Sequence, residues 1–297
     1  MISGIINVFK EKGYTSHDVV AKARGILHEK KIGHAGTLDP NAEGVLPLCI
    51  GNATKAIEYL TNEDKCYEAE VILGANTTTE DETGDIIETF PVNIDKDEVE
   101  HVMSTFIGEY EQIPPMYSAI KVNGVRLYEL ARKGIIIERP KRQVYVYECS
   151  VSDWLSHNRF KIKVRCSKGT YIRTLCSDIG IKLNCGAYMG ALLRTKVGRF
   201  ELKNSVFLSE LEQNKDNLSK YIYSIENIFE DFPKGFIKDK ARTRLYNGNK
   251  LFLGDIDIQD QFYHQKICIY DDHCLRGIYV FNEVEKCFSP EKMFLPR

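Results

Sequence analysis

The sequence predicts an α+β protein: a mixed, largely antiparallel sheet with interspersed helices, followed by a small β-rich module. Three observations carry this reading. Helical and strand patterns follow one another without the regular strand–helix–strand alternation of a parallel sheet. The segment Arg159–Cys166 alternates apolar and basic residues strictly, as a strand with one buried face does. A turn-rich boundary stands at Phe232-Pro233-Lys234-Gly235, so domains are expected at residues 1–232 and 233–297.

The elements follow in order. Residues 5–9 read as an opening strand, and Thr15 with Asp18 forms the capping box of a helix burying Val19, Val20, Ala23, Ile26 and Leu27. A glycine-rich loop over residues 33–44 leads into an apolar run over 45–50, after which Asn52 is placed to cap a helix through Leu60. Residues 67–73 form a strand. Asp95 and Glu98 open a helix carrying Val99, Val102, Met103, Phe106 and Ile107. Strands over 144–149 and 159–166 flank a turn at His157 and Asn158, and Lys168-Gly169-Thr170 turns into a helix with Ile172, Leu175, Ile179 and Leu183. A polar helical stretch over 209–230 precedes the boundary. Short strands with turns at Asn247-Gly248-Asn249 and Asp271-Asp272 fill the remainder.

Composition narrows the function classes. With 43% apolar and 28% charged residues over 297 positions, the chain is neither disordered, collagen-like nor a fibrous coil. No window of about 18 apolar residues spans a membrane, and the amino terminus lacks a signal-peptide pattern, so a cytosolic protein is expected. Nine cysteines without a CxxC pair argue for reduced, mostly buried thiols rather than a zinc site or a redox dithiol.

The net charge of −2 hides segregation. Residues 78–100 carry nine acids and one lysine, residues 121–143 seven bases (Lys121 and Arg142 among them) and two acids, and residues 159–173 six bases and no acid. On the strand Arg159–Cys166, the side chains of Arg159, Lys161, Lys163 and Arg165 share one face. Two readings stay open: an ordinary solvated strand face, or a surface for a phosphate backbone.

The segment Gly33-His34-Ala35-Gly36-Thr37-Leu38-Asp39-Pro40-Asn41-Ala42-Glu43-Gly44 is the candidate for chemistry. Its glycines permit tight bends, and Pro40 biases Asp39 toward an extended backbone, which sets the direction of its carboxylate. The alternatives are a helix N-cap at Asp39, for which Gly44 and Pro47 leave little room, and a phosphate cradle, which would need the Lys-Ser/Thr ending that is absent here.

These residues, continuing through Gly44-Val45-Leu46 to Gly51-Asn52-Ala53-Thr54-Lys55, closely resemble the signature of the TruB-type tRNA pseudouridine synthases. Four further stretches agree in order: Gly13-Tyr14-Thr15-Ser16-His17-Asp18-Val19-Val20, Lys65-Cys66-Tyr67-Glu68, Pro114-Pro115-Met116-Tyr117-Ser118-Ala119-Ile120-Lys121 and Lys168-Gly169-Thr170-Tyr171-Ile172-Arg173-Thr174. The resemblance covers roughly residues 1–230 and weakens after Pro233, where similar enzymes carry a small PUA-like RNA-binding domain. One departure is Lys10-Glu11-Lys12-Gly13, where members often have Lys-Pro.

The resemblance implies a pseudouridine synthase fold and isomerisation of uridine 55 in the TΨC loop of tRNA, by a monomer that uses no metal, nucleotide or redox cofactor. It makes Asp39 the nucleophile, a role in which a carboxylate splits one difficult step into two. Arg173 becomes the cation that keeps this carboxylate charged through a fork-shaped pair. Tyr67 becomes the aromatic residue stacked on the target base, with Leu192 on the other side of the uracil. His34 is expected to enter the RNA loop and fill the space left by flipped nucleotides. Tyr171, Lys121, Lys161, Lys163 and Arg165 complete the expected substrate surface. Flipping costs a few kcal/mol, and stacking on an aromatic side chain recovers about 1–3 kcal/mol per base. Two rivals remain: an RNA-folding module that holds the TΨC arm with or without catalysis, and a glycoside hydrolase, which would need a second carboxylate at a fixed distance.

Overall fold

The structure is a computed structural model that describes residues 3–122, 124–259 and 265–295. Its main element is a ten-stranded sheet. The chain enters through β1 (Gly4–Lys10), helix α1 (Ser16–Leu27), β2 (Ile32–His34) and β3 (Glu43–Ile50). Helix α2 (Ile57–Asn62) then leads to β4 (Lys65–Leu73), the hairpin β5 (Ala75–Thr77) and β6 (Ile86–Thr89), helix α3 (Lys96–Ser104) and β7 (Gly108–Gln112). A small hairpin, β8 (Lys121–Val122) and β9 (Val125–Arg126), and the short helix α4 (Leu127–Ala131) precede the long hairpin of β10 (Arg142–Ser156) and β11 (Arg159–Cys166). Helix α5 (Ile172–Lys182), β12 (Ala187–Val197), β13 (Phe200–Glu201), helix α6 (Leu208–Gln213) and β14 (Ile222–Tyr223) complete this part.

The sheet runs β14-β1-β3-β12-β4-β11-β10-β7, with β2 paired to β3 and β13 to β12. All pairs are antiparallel except β3 with β12, where Glu43 and Gly44 lie beside Leu193 and Arg194. That single parallel contact brings the start of β3 against a strand some 150 residues later, and the glycine-rich loop is tied to it. One face of β4, β11 and β12 buries Tyr67, Ala69, Val71, Ile162, Val164 and Leu192 beneath α3 and α5, in a core that includes Met103, Phe106, Leu175 and Ile179.

Several local expectations hold. Thr15 and Asp18 form a reciprocal capping box at α1, and the Asp95 carboxylate accepts from the Glu98 N–H at α3. The strand β11 has the expected bounds and a strictly alternating burial pattern. Others differ. Residues Gly51–Ala56 form a 3-10 turn before α2, because Ile50 stands at its start and offers no side-chain oxygen to cap an α-helix. Ile107 lies past the end of α3 and is exposed. The polar stretch over 209–230 is not one helix: it breaks into α6, two 3-10 turns and the edge strand β14, and only Leu208, Leu211, Ile228 and Phe229 of this region are buried.

The second sheet, of six strands, begins at Lys234. It comprises β15 (Lys234–Ile237), β16 (Leu251–Phe252), β17 (Ile256–Asp257), β18 (Lys266–Asp271), β19 (Cys274–Asn282) and β20 (Cys287–Met293), with a short helix α7 (Arg242–Tyr246) before β16. The turn expected at Asn247-Gly248-Asn249 is present, with Gly248 at φ +66°. This β-rich unit docks on the large sheet. Cys268, Tyr270, Leu275, Ile278 and Phe294 share one apolar cluster with Ile5, Val45, Cys49, Ala53 and Phe229. Lys55 donates to the Met293 carbonyl at 2.7 Å, and Lys292 pairs with Glu58 at the same distance. All nine cysteines are free thiols, seven of them buried, with Cys66 half-buried and Cys274 exposed.

Candidate active site

Asp39 lies on the loop between β2 and β3, and both sides of it are fastened from below. Ser16, the first residue of α1, clasps Leu38: its hydroxyl accepts from the Leu38 N–H at 2.9 Å and donates to the Leu38 carbonyl at 3.2 Å. The Pro40 carbonyl accepts from the Gly13 N–H at 2.9 Å, and the Asp39 carbonyl from the Ala42 N–H at 3.1 Å. Lys10, fully buried at the end of β1, donates its ammonium to the carbonyls of Ala42 (2.5 Å), Pro40 (3.1 Å) and Glu11 (3.2 Å). Burial pushes the Lys10 ammonium down to about 8, a loss partly offset by Asp39 and Glu43 nearby.

Arg173 reaches the same point from the first turn of α5. Its Nε stands 3.0 Å from Oδ2 of Asp39; the arginine side chain is 5% exposed and that of the aspartate 43%. The expected fork on the aspartate is not formed. The remaining donors are divided: Nη1 donates to the Thr79 carbonyl at 3.2 Å and lies 3.9 Å from Oδ2 of Asp81, and Nη2 donates to the Tyr117 carbonyl at 2.8 Å. The guanidinium is thus held by three separate segments, and only one of its edges meets Asp39.

Tyr67 and Leu192 are buried in the same apolar cluster. They extend from adjacent strands on one face of the sheet, with Leu192 registered against Ala69, and share their cluster with Leu38 and Ala42 on either side of Asp39. The Tyr67 phenol is buried and pushed up to about 12, chiefly by burial. At neutral pH it is therefore protonated and acts as a donor. His34 ends β2 and is half-buried; its Nδ1 is buried without a hydrogen-bond partner, and burial, Arg194 and His17 lower its pKa, which keeps the ring neutral.

Tyr171 stands at the N-cap of α5, where its backbone is gripped by the buried Gln112 amide. The Tyr171 N–H donates to Gln112 Oε1 at 2.8 Å and its carbonyl accepts from Nε2 at 2.9 Å. Lys121 is exposed on β8, three residues beyond the buried Ser118.

Lys161, Lys163 and Arg165 stand on the exposed face of β11, as the alternation implies, but among acids. Period two holds, but Val164 and Tyr67 are cross-strand partners facing the core, so this row points away from the face that carries Tyr67. The row is also not free of acids. Lys161 and Lys163 lie opposite Glu70 and Glu68 on β4, and Arg159 pairs with Glu70 (2.9 Å), Lys163 with Glu68 (3.7 Å) and Arg165 with Glu148 (3.3 Å). Counting charges along one strand missed the acids that its neighbours supply.

Three residues at the site escape sequence reasoning. Asp81 was legible only as part of an acidic stretch. Gln112 stands two residues before the Pro-Pro pair but outside the quoted motif. Arg194 lies two residues after Leu192 and has no signal of its own. Its Nε donates to the Val45 carbonyl (2.8 Å), Nη1 to Thr37 (3.3 Å) and Nη2 to Gly36 (3.0 Å).

A carboxylate paired with a buried arginine, next to a tyrosine and a leucine of one apolar cluster, has the groups that nucleophilic chemistry needs. Comparison with known proteins gives the family. Residues 24–172 match the family model of the TruB family pseudouridylate synthase N-terminal domain, and residues 173–230 that of the tRNA pseudouridylate synthase B C-terminal domain. The tRNA pseudouridine synthase B of Lachnoclostridium phytofermentans is 47% identical, and that of Staphylococcus aureus strain JH9 44%, each alignment spanning 99% of this chain and all of the relative. The chain belongs to the TruB family of pseudouridylate synthases. Among solved structures, a Cbf5-Nop10-Gar1 complex contains a chain that superposes with a TM-score of 0.76 at 29% identity, covering 99% of this chain and 85% of that one. A chain of an H/ACA RNP bound to a substrate RNA containing 2′-deoxyuridine gives 0.73 at 26% identity, covering 99% and 86%. Among the described residues no helix is long and apolar enough to cross a membrane.

Proposed function

We propose that this chain, acting as a monomer in the cytoplasm, converts uridine 55 in the TΨC loop of tRNA to pseudouridine with Asp39 as nucleophile. The observation that carries the reading is the contact between Arg173 Nε and Asp39 Oδ2 at 3.0 Å, on a loop whose Leu38 and Ala42 share a cluster with Tyr67 and Leu192. Arginine binds one carboxylate oxygen and leaves Oδ1 for the nucleotide. The glycosidic bond from C1′ to N1 breaks, the uracil turns, and C5 joins C1′; the hydrogen leaves C5 and N1 gains one, so the product is an isomer. A protonated Tyr67 donates toward the base and stacks on it, and Leu192 closes the opposite side.

The nucleotide must leave the RNA stack to reach this pocket, and the neutral His34 beside the loop is placed to fill the vacated space. Phosphate contacts are assigned to the basic segment that carries Lys121, Arg126 and Arg132, next to the Tyr117 carbonyl that holds Arg173; the β11 row is left out. The residues from 233 onward are assigned to a PUA-like unit that binds the RNA outside the loop. The test is incubation of an unmodified tRNA transcript with the protein, followed by mapping of pseudouridine. A single new pseudouridine at position 55 is expected; modification at another site or none overturns the reading.

A further inference from the structure

Arg194 is the largest fully buried side chain of the described protein, and no carboxylate pairs with it among the described residues. A buried cation without an anionic partner is costly, and it persists only where hydrogen bonds satisfy it completely. Here the satisfying groups all belong to the active site. Three guanidinium nitrogens hold the carbonyls of Gly36, Thr37 and Val45, and Arg194 is the cross-strand partner of Tyr67 where β12 pairs with β4. Lys10 takes the carbonyls of Pro40 and Ala42 on the other side of Asp39.

Two glycines of the loop signature stand against the same residue, Gly36 beside its side chain and Gly44 against its backbone. A Cβ on Gly36, which stands at φ +85°, would lie 3.4 Å from Arg194 Nη1. A Cβ on Gly44, at φ +108°, would lie 2.2 Å from the Arg194 carbonyl oxygen, where β3 and β12 run side by side. The loop is therefore shaped to receive this residue.

We propose that Arg194 is a positioning residue that locks the Asp39 loop onto the strand pair that carries Tyr67. Standing opposite Tyr67 across β12 and β4, it ties the loop and the aromatic residue to one rigid frame. By holding the carbonyls of residues 36 and 37 it fixes the direction from which Asp39 approaches. It touches no reacting atom. Its effect belongs to the bond-making steps and not to capture of the tRNA, which is gripped elsewhere.

The inference rests on the proposed activity, and its test separates the two. Wild type, Arg194→Lys and Gly36→Ala are assayed for single-turnover pseudouridine formation in one tRNA transcript, for tRNA affinity and for thermal unfolding. A lysine keeps the charge but cannot reach three carbonyls. For Arg194→Lys the expected result is a single-turnover rate lower by about 100-fold with tRNA affinity within threefold of wild type, an effect a merely structural role would not confine to the rate. A rate within threefold of wild type overturns the proposal, as does a loss of affinity as large as the loss of rate. Should Arg194→Lys not fold, Gly36→Ala decides, because alanine is strained at φ +85° and shifts the Gly36 carbonyl that Arg194 holds: a rate loss without an affinity loss supports the proposal, and an unchanged rate overturns it. A wild type that forms no pseudouridine overturns the functional reading itself.

Discussion

Replacing Arg173 with lysine is the most informative single change at the site. The guanidinium meets four acceptors from three segments: Asp39 at 3.0 Å, Thr79 at 3.2 Å, Tyr117 at 2.8 Å and Asp81 at 3.9 Å. An ammonium on a shorter, unforked stem can keep one of the close contacts and must leave the other two. Hydrogen bonds to charged groups contribute about 1.5–3 kcal/mol each, so two lost contacts amount to roughly 3–6 kcal/mol. If that loss falls on the transition state, at about 1.4 kcal/mol per tenfold, the rate drops by about 10²–10⁴. The assay is single-turnover release of tritium from tRNA labelled at C5 of its uridines, since that hydrogen leaves as the new carbon–carbon bond replaces it. A rate within threefold of wild type would refute the reasoning and show that any cation suffices beside Asp39.

Asp39→Asn should abolish pseudouridine formation while leaving tRNA affinity within a few fold, checked by mapping and filter binding; turnover by this variant removes Asp39 as nucleophile. Neutralising Lys121, Arg126 and Arg132 together should lower the slope of log affinity against log salt by about 2, at roughly 0.7–0.9 per phosphate contact, whereas neutralising Lys161 and Lys163 should leave it unchanged. Lys10 titrates at about 8 in the folded chain against 10.5 when exposed, so the folded state gives up this proton first. The burial penalty is therefore present in full below pH 8 and relieved as the pH rises toward 10.5, and wild type should gain about 1–2 kcal/mol relative to Lys10→Met between about pH 7.5 and 9.5. Denaturant melts at the two pH values check this, and a constant difference would sink it. In the native protein a thiol reagent should modify Cys274 quickly, Cys66 slowly and the seven buried thiols only on unfolding; rapid reaction of more than two thiols would contradict the packing.

What was legible in the sequence was local. The Thr15–Asp18 box, the Asp95 cap and the alternation of β11 each depend on neighbours within a few positions, and each appears where the pattern put it. The loop around Asp39 and its arginine were legible through motif resemblance, and the structure brings the two side chains together. The rest depends on contacts across the chain. Whether Lys163 stands alone is decided by Glu68 on another strand, and the worth of Arg194 by carbonyls near residue 37. The run over 209–230 misled because its polarity reads as a solvated helix, whereas two short apolar anchors, Leu208 with Leu211 and Ile228 with Phe229, fix it to the body at separate points.

The apolar cluster shared by the two sheets bears on how the chain can be cut. Phe294, Ile278 and Cys268 cover Val45 and Cys49, the opposite side of the strand that follows the Asp39 loop. A fragment stopped near Pro233 would therefore bare this side of β3 to water. Such a truncation is expected to yield an aggregating remnant rather than a minimal enzyme, because the distal unit supplies part of the core beneath β3.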